Sequence, residues 1–257
     1  MPKLSSEDKF LDVSDYGRPF ARSFVNRIQH TDITPVQVTY LFGISGLIAV
    51  YSILNGHYIT AGIFLIIKSI LDAADGELAR TIERPSYTGR YLDSIFDIFL
   101  NFLVLAAIWY VTDASLLLAL AAFASVQLQG TLYNYYYVIL RHNTAGGEKT
   151  SKIMETERPK AFPVESQQTV DFLYDTYNML YVAFDKMIFY LDQDAADAPV
   201  FPKWFMTLIS IYGLGFQLLI ISIMLSLGMI DLILPFFVAY NVLLVVFIGI
   251  RRLLIKH

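Results

Sequence analysis

The stretch Asp72-Ala73-Ala74-Asp75-Gly76-Glu77-Leu78-Ala79-Arg80, followed eight residues later by Gly89-Arg90-Tyr91-Leu92-Asp93-Ser94-Ile95-Phe96-Asp97, sets four aspartates in or beside two strongly apolar segments. A carboxylate near the middle of a bilayer is costly unless it is solvated, paired or metal-bound. Asp72 and Asp75 are three residues apart, and Asp93 and Asp97 are four apart, so within helices each pair shares one face. The polar stretch between Arg80 and Gly89 lets the chain turn back, which allows the two pairs to face each other. Four converging carboxylates without histidine or cysteine favour a hard divalent cation, Mg²⁺ or Mn²⁺. Two such ions would balance the acidic charge and leave coordination positions for phosphate oxygens, which suits in-line displacement at phosphorus.

The composition fits a membrane setting for this cluster. Of 257 residues, 56% are hydrophobic and 16% charged, and the mean hydropathy is +0.51. Six windows approach the roughly 20 apolar residues that span a bilayer as a helix: 34–56, 58–81, 91–112, 114–140, 204–227 and 229–250. The expected fold is therefore all-α, a polytopic bundle of six transmembrane helices. Asn55-Gly56-His57, Thr112-Asp113 and Gly228 mark tight hairpins, and none of the 19 Lys and Arg residues falls in these turns. By the positive-inside rule both termini and the aspartates face the cytoplasm. Without cysteine there are no disulfides or thiolate metal sites, and a net charge of −4 argues against a nucleic-acid partner.

Outside the spans, Met1 to His30 lacks an apolar signal-peptide core, so the first span is expected to drive insertion. In this arm (1–33) Phe20, Phe24 and Ile28 recur every fourth residue while Arg18, Arg22 and Arg27 lie off that stripe. This reads as a juxtamembrane amphipathic helix or a helix packed under the bundle. Within the membrane domain (34–257), residues 141–203 form a cytoplasmic insertion between the fourth and fifth spans. Asn143 to Gln168, with Gly146-Gly147, reads as a loop, and Ala195 to Pro202 as a linker. Residues 170–192 read as a helix at the membrane surface or against the bundle. Asp171, Asp175, Asn178, Asp185 and Asp192 lie along one stripe of it, read as a solvated face. Tyr133-Asn134-Tyr135-Tyr136-Tyr137 reads as an interfacial aromatic belt, with lining of a binding pocket as the alternative.

From Asp72 to Asp97 the pattern matches, at every specified position, the signature of the CDP-alcohol phosphotransferase family of integral membrane enzymes, which it therefore resembles. Ile33-Thr34-Pro35-Val36-Gln37-Val38-Thr39 is similar to a further Pro-Asn-x-x-Thr element of that family, with Val36 in place of Asn. The resemblance implies transfer of a substituted phosphate from a CDP-alcohol to an acceptor alcohol with release of CMP. It also implies two divalent cations held by Asp72, Asp75, Asp93 and Asp97, with Asp97 doubling as general base. Gly76 and Ala79 would flank the cytidine, Arg80 and Thr39 would meet the donor's phosphates, and Gly89 would permit a close turn before the second pair. At least one substrate would be a lipid, and a homodimer in a prokaryotic inner membrane is the family expectation. The neighbourhood of the motif favours CDP-diacylglycerol as donor. CDP-choline or CDP-ethanolamine with diacylglycerol is the alternative, and a transporter using intramembrane aspartates is the reading from another class. Asp93→Asn is expected to abolish metal-dependent turnover while the bundle still inserts, and normal turnover in the purified variant would refute a metal role for Asp93.

Overall fold

A computed structural model describes residues 4, 8–143, 157–197 and 201–254. Among these the regular structure is helical throughout. A short 3₁₀ turn, Val13–Asp15, precedes helices α1 (Arg18–Ile28), α2 (Pro35–Leu54), α3 (Tyr58–Thr81), α4 (Tyr87–Thr112) and α5 (Leu116–Asn143). There follow α6 (Gln167–Leu191), α7 (Lys203–Ile209), α8 (Leu214–Ser226), α9 (Ile233–Tyr240) and α10 (Val242–Leu254). The Gly146-Gly147 part of the expected loop and residues 198–200 of the expected linker lie outside the described residues.

Local chemistry sets the helix ends. Thr34 caps α2: its side chain accepts from the Gln37 N–H, Gln37 reaches back to the Thr34 N–H, and Pro35 opens the first turn. The α2–α3 turn passes through Gly56 at φ +74°, and α4 stops at Asp113 in a left-handed conformation. Ser86 caps α4 by accepting from the Gly89 N–H at 2.8 Å. Glu165 reinforces that cap from far along the chain, accepting from Ser86 Oγ at 2.7 Å, Thr88 N at 2.8 Å and Tyr87 N at 3.2 Å. Burial works to raise the Glu165 pKa, and hydrogen bonds from Thr88 and Ser86 outweigh it, holding the carboxyl below the ordinary glutamate value.

Four helical stretches are long and apolar enough to cross a membrane: α2, α4, α5 and Ile230–Leu253, which joins α9 to α10. A fifth is added if α7 and α8, bent by 49° at their junction, form one crossing. Tyr58–Thr81, expected as the second of six spans, has the length of one but carries Lys68, Asp72, Asp75, Glu77 and Arg80. The principal apolar core, with Ile53, Leu65, Ile108, Leu218 and Phe237, binds α2, α3, α4, α8 and α9 together.

Two parts of the chain differ from the sequence expectation. Helix α1 packs on α3 through Ala21, Val25 and Ile28, against Ala74 and Leu78. The inward stripe is thus offset from the Phe20-Phe24-Ile28 line, and Phe20 is exposed. Arg18 and Arg22 turn toward Glu77 on α3, and this ion pairing sets the rotation. On α6, the stripe read as solvated is not uniform. Asp175 is exposed and paired with Arg158, whereas Asp192, beyond the last turn, is wholly buried. It pairs with buried Arg251 and with Arg252 and accepts from Tyr136 Oη at 2.6 Å. Periodicity placed it with its neighbours, but its counter-charge sits at the other end of the chain.

The N-terminal segment enters where the α7–α8 pair is broken. Val13 N–H donates to Ser210 Oγ at 3.0 Å. A Cβ at Gly215 would stand 2.0 Å from the Ser14 carbonyl oxygen, and one at Gly213 would stand 2.4 Å from Ser14 Cβ. The missing side chains at 213 and 215 are what admit the arm. Asp192→Ala is expected to cost about 3–5 kcal/mol of stability by leaving Arg251 buried without its partner. The measurement is the unfolding midpoint in detergent, and a midpoint equal to wild type would refute the anchoring role.

Candidate active site

The antiparallel hairpin α3–α4 brings the two halves of the aspartate motif together. Carboxylate oxygens of Asp72, Asp75 and Asp93 all lie within 4.8 Å of one another. Asp75 is 6% exposed and accepts from Thr39 Oγ1 at 2.8 Å. Thr39, expected at a diphosphate, thus touches a carboxylate, and does so because the capped start of α2 packs beside α3. Asp93 Oδ1 is a buried atom with no hydrogen-bond partner among the described residues. Three hard oxygen donors, one of them unsatisfied, fit a divalent cation better than an apolar or anionic ligand.

Asp97 stands apart from that trio. Lys68 lies one turn before Asp72 on α3, and Asp97 lies one turn after Asp93 on α4. In an antiparallel pair these two positions meet one layer deeper. The Lys68 ammonium is ion-paired to Asp97 Oδ1, is 1% exposed, and lies 5.1 Å from the centroid of the Phe42 ring.

Toward the end of α3 the charges reverse roles. Glu77 accepts from Arg80 Nη2 at 3.1 Å, Arg18 Nη1 at 3.0 Å and Arg22 Nε at 3.2 Å. Arg18 is held on its other side by Asp15. A single carboxylate therefore orients Arg80 and ties the N-terminal helix to the motif. At Gly76 an added Cβ would stand 3.3 Å from Arg80 Nη1. The space beside Gly76 is therefore shared with the guanidinium.

The four aspartates, Thr39, Gly76, Arg80, Asp15 and Arg18 border one cavity of about 1060 Å³. Every residue expected at the site lines it: Thr39, Asp72, Asp75, Gly76, Ala79, Arg80, Gly89, Asp93 and Asp97. So do residues that the sequence reading did not place at the site. Asp12, Ser14 and Asp15 come from the arm, and Tyr177, Tyr181 and Asp185 come from α6. The tyrosine run divides by helix face. Tyr133, Asn134 and Tyr137 line the cavity, with Tyr133 Oη donating to Asp12 Oδ2 at 2.6 Å. Tyr135 and Tyr136 point to Asp192 instead. Tyr181 Oη donates to the Ser94 carbonyl at 2.7 Å, fastening α6 beside the second aspartate pair. The signal for α6 was present in Asp185, but period alone does not distinguish a cavity wall from a solvated face.

Long apolar helices, a carboxylate cluster and arginines thus meet around one cavity. Residues 32–156 match the family model of the CDP-alcohol phosphatidyltransferases. The chain is 34% identical over 121 residues to a bifunctional IPC transferase and DIPP synthase of Archaeoglobus fulgidus, a match covering 46% of this chain and 25% of that protein. It is 38% identical over 84 residues to an archaetidylinositol phosphate synthase of Pyrococcus horikoshii, covering 31% of this chain and 45% of that protein. A bifunctional IPC transferase and DIPP synthase of Aquifex aeolicus is 34% identical over 108 residues, covering 37% and 24%. The matched stretch thus spans less than half the length of each of these relatives.

Gly76→Leu is expected to weaken CMP binding by more than tenfold, because its branched tip must displace Arg80 or fill the cavity beside it. Calorimetric titration of CMP into the purified variant checks this, and an unchanged affinity would remove the nucleotide from that position.

Proposed function

We propose that the protein is a metal-dependent CDP-alcohol phosphotransferase that joins a CDP-linked lipid to an acceptor alcohol and releases CMP. The observation that carries the reading is the meeting of Asp72, Asp75, Asp93, Asp97 and Arg80 around one cavity. In the reaction the acceptor oxygen bonds to the phosphorus that bears the donor alcohol, and the bond from that phosphorus to CMP breaks. A divalent ion on Asp72, Asp75 and Asp93 would supply stabilisation of the charge on the phosphate oxygens. Arg80 offers its planar donors to the diphosphate, with Glu77 fixing the guanidinium in place. Gly76 and Ala79 leave room for the flat cytosine, and Gly89 keeps the start of α4 slim beside it. Asp97 takes the proton of the acceptor hydroxyl on Oδ2, the oxygen that Lys68 does not hold. Thr39 acts through Asp75, which it steadies by a hydrogen bond.

The acceptor is a phosphorylated polyol. Arg18, Arg80, Arg90 and Arg141 all line the cavity, more cationic donors than a single diphosphate uses, and arginine pairs well with phosphate. The printed name of the Pyrococcus relative, an archaetidylinositol phosphate synthase, points the same way. The donor is a CDP-linked lipid, CDP-diacylglycerol or an ether counterpart. In this reading α3 is a sixth crossing, its carboxylates and arginines near the cytoplasmic surface with both termini, and the enzyme works as a homodimer.

The test is CMP release from purified protein with Mg²⁺ or Mn²⁺, crossing CDP-diacylglycerol, CDP-choline and CDP-ethanolamine with inositol phosphate, glycerol phosphate, serine and diacylglycerol. The expected result is release that requires a CDP-lipid together with a phosphorylated acceptor and falls at least a hundredfold in Asp97→Asn. Release with CDP-choline and diacylglycerol alone would overturn the substrate assignment. Absence of both turnover and CMP binding would overturn the enzyme reading.

A further inference from the structure

We propose that the Lys68 ammonium takes the place of a second divalent ion, so that the site holds a single metal on Asp72, Asp75 and Asp93. The inference rests on the metal-dependent reading above and changes its stoichiometry. Four observations carry it. The carboxylate oxygens close enough to share an ion belong to Asp72, Asp75 and Asp93, with Asp97 outside that group. Asp97 Oδ1 is already engaged by a cation, the Lys68 ammonium. Lys68 is buried, at 1% exposure, and its ammonium lies over the Phe42 ring. The carboxylates whose charges act on it are Asp97, Asp72 and Asp93, all members of the motif.

A second ion bridging Asp97 to the trio would sit about 4 Å from the first, the spacing of two-metal phosphoryl-transfer sites. It would then stand next to an ammonium that burial prevents from moving away. Like charges that close in a poorly solvated interior repel strongly. The chain avoids that conflict by furnishing one cation from its own α3 and leaving one to be bound. Lys68 thereby becomes a positioning residue. It fixes one oxygen of Asp97 and leaves the other for the acceptor proton, where a second metal would have claimed the carboxylate as a ligand.

The experiment counts ions without using turnover. Wild-type protein in detergent, stripped with a chelator and titrated with Mn²⁺ alone, is followed by equilibrium dialysis and electron paramagnetic resonance. The expected result is one tightly bound equivalent with the resolved hyperfine pattern of an isolated Mn²⁺. Lys68→Met is expected to take up a second equivalent with the broadened spectrum of a spin-coupled pair, and adding Asp97→Asn to it returns the count to one. Lys68→Gln, with a polar tip in the same cavity, is the second variant should the methionine disturb folding, and the wild-type count is decisive by itself. Two equivalents in wild type, or one in a folded Lys68→Met with the same spectrum, would overturn the proposal. No bound ion in folded wild type would instead overturn the metal-dependent reading on which it rests.

Discussion

The cost of carrying ionised groups into an apolar helical bundle governs the arrangement around the cavity. Each buried or half-buried carboxylate there has a compensating group assigned to it. Asp97 has Lys68, Asp75 has the Thr39 hydroxyl, Asp12 has the Tyr133 and Ser14 hydroxyls, and Glu77 gathers three arginines. The exception is the space between Asp72, Asp75 and Asp93, where Asp93 Oδ1 stays unsatisfied. Because unpaired buried charge is so unfavourable, this incompletely compensated space is a place where an ion and a charged substrate can contribute most.

The same compensation joins segments that are remote in sequence. The hairpin α3–α4 carries the four aspartates, but two of the cavity's walls come from elsewhere. Helix α6 is anchored at one end through Glu165 on the cap of α4 and at the other through Asp192 on Arg251. Between those anchors it turns Tyr177, Tyr181 and Asp185 inward. The arm before α1 closes another side, held by Asp15, Arg18 and Glu77 in series. Both additions reach the motif through polar contacts, which set orientation more sharply than apolar packing between helices in a membrane, where lipid competes equally well.

Much of this was legible beforehand, and the reasons for the rest are specific. Helical spacing told which aspartates share a face, and all the expected site residues do border one cavity. Spacing could not tell what lies opposite that face. Lys68 lies within the second expected span, yet only the antiparallel register of α3 and α4 sets it against Asp97. For α1 the apolar residues were identified, but the helix is rotated because Arg18 and Arg22 seek Glu77. For Asp192 the period was right and the environment was not, since Arg251 is 59 residues away along the chain. The break between α7 and α8 was read as part of one continuous span. Its meaning lies in Ser14, a contact that no local pattern encodes.

That contact orders the birth of the molecule. The donor Val13 and its acceptor Ser210 are separated by 197 residues, and the glycine notch that seats Ser14 follows directly after. A growing chain therefore has its aspartate-bearing hairpin in hand long before the groove that receives Ser14 exists. Until α7 and α8 emerge, the arm has nowhere to dock and the chamber stands open on that flank. Docking of the arm thus waits on a segment synthesised much later, and the chamber closes on that flank only once α7 and α8 are in place.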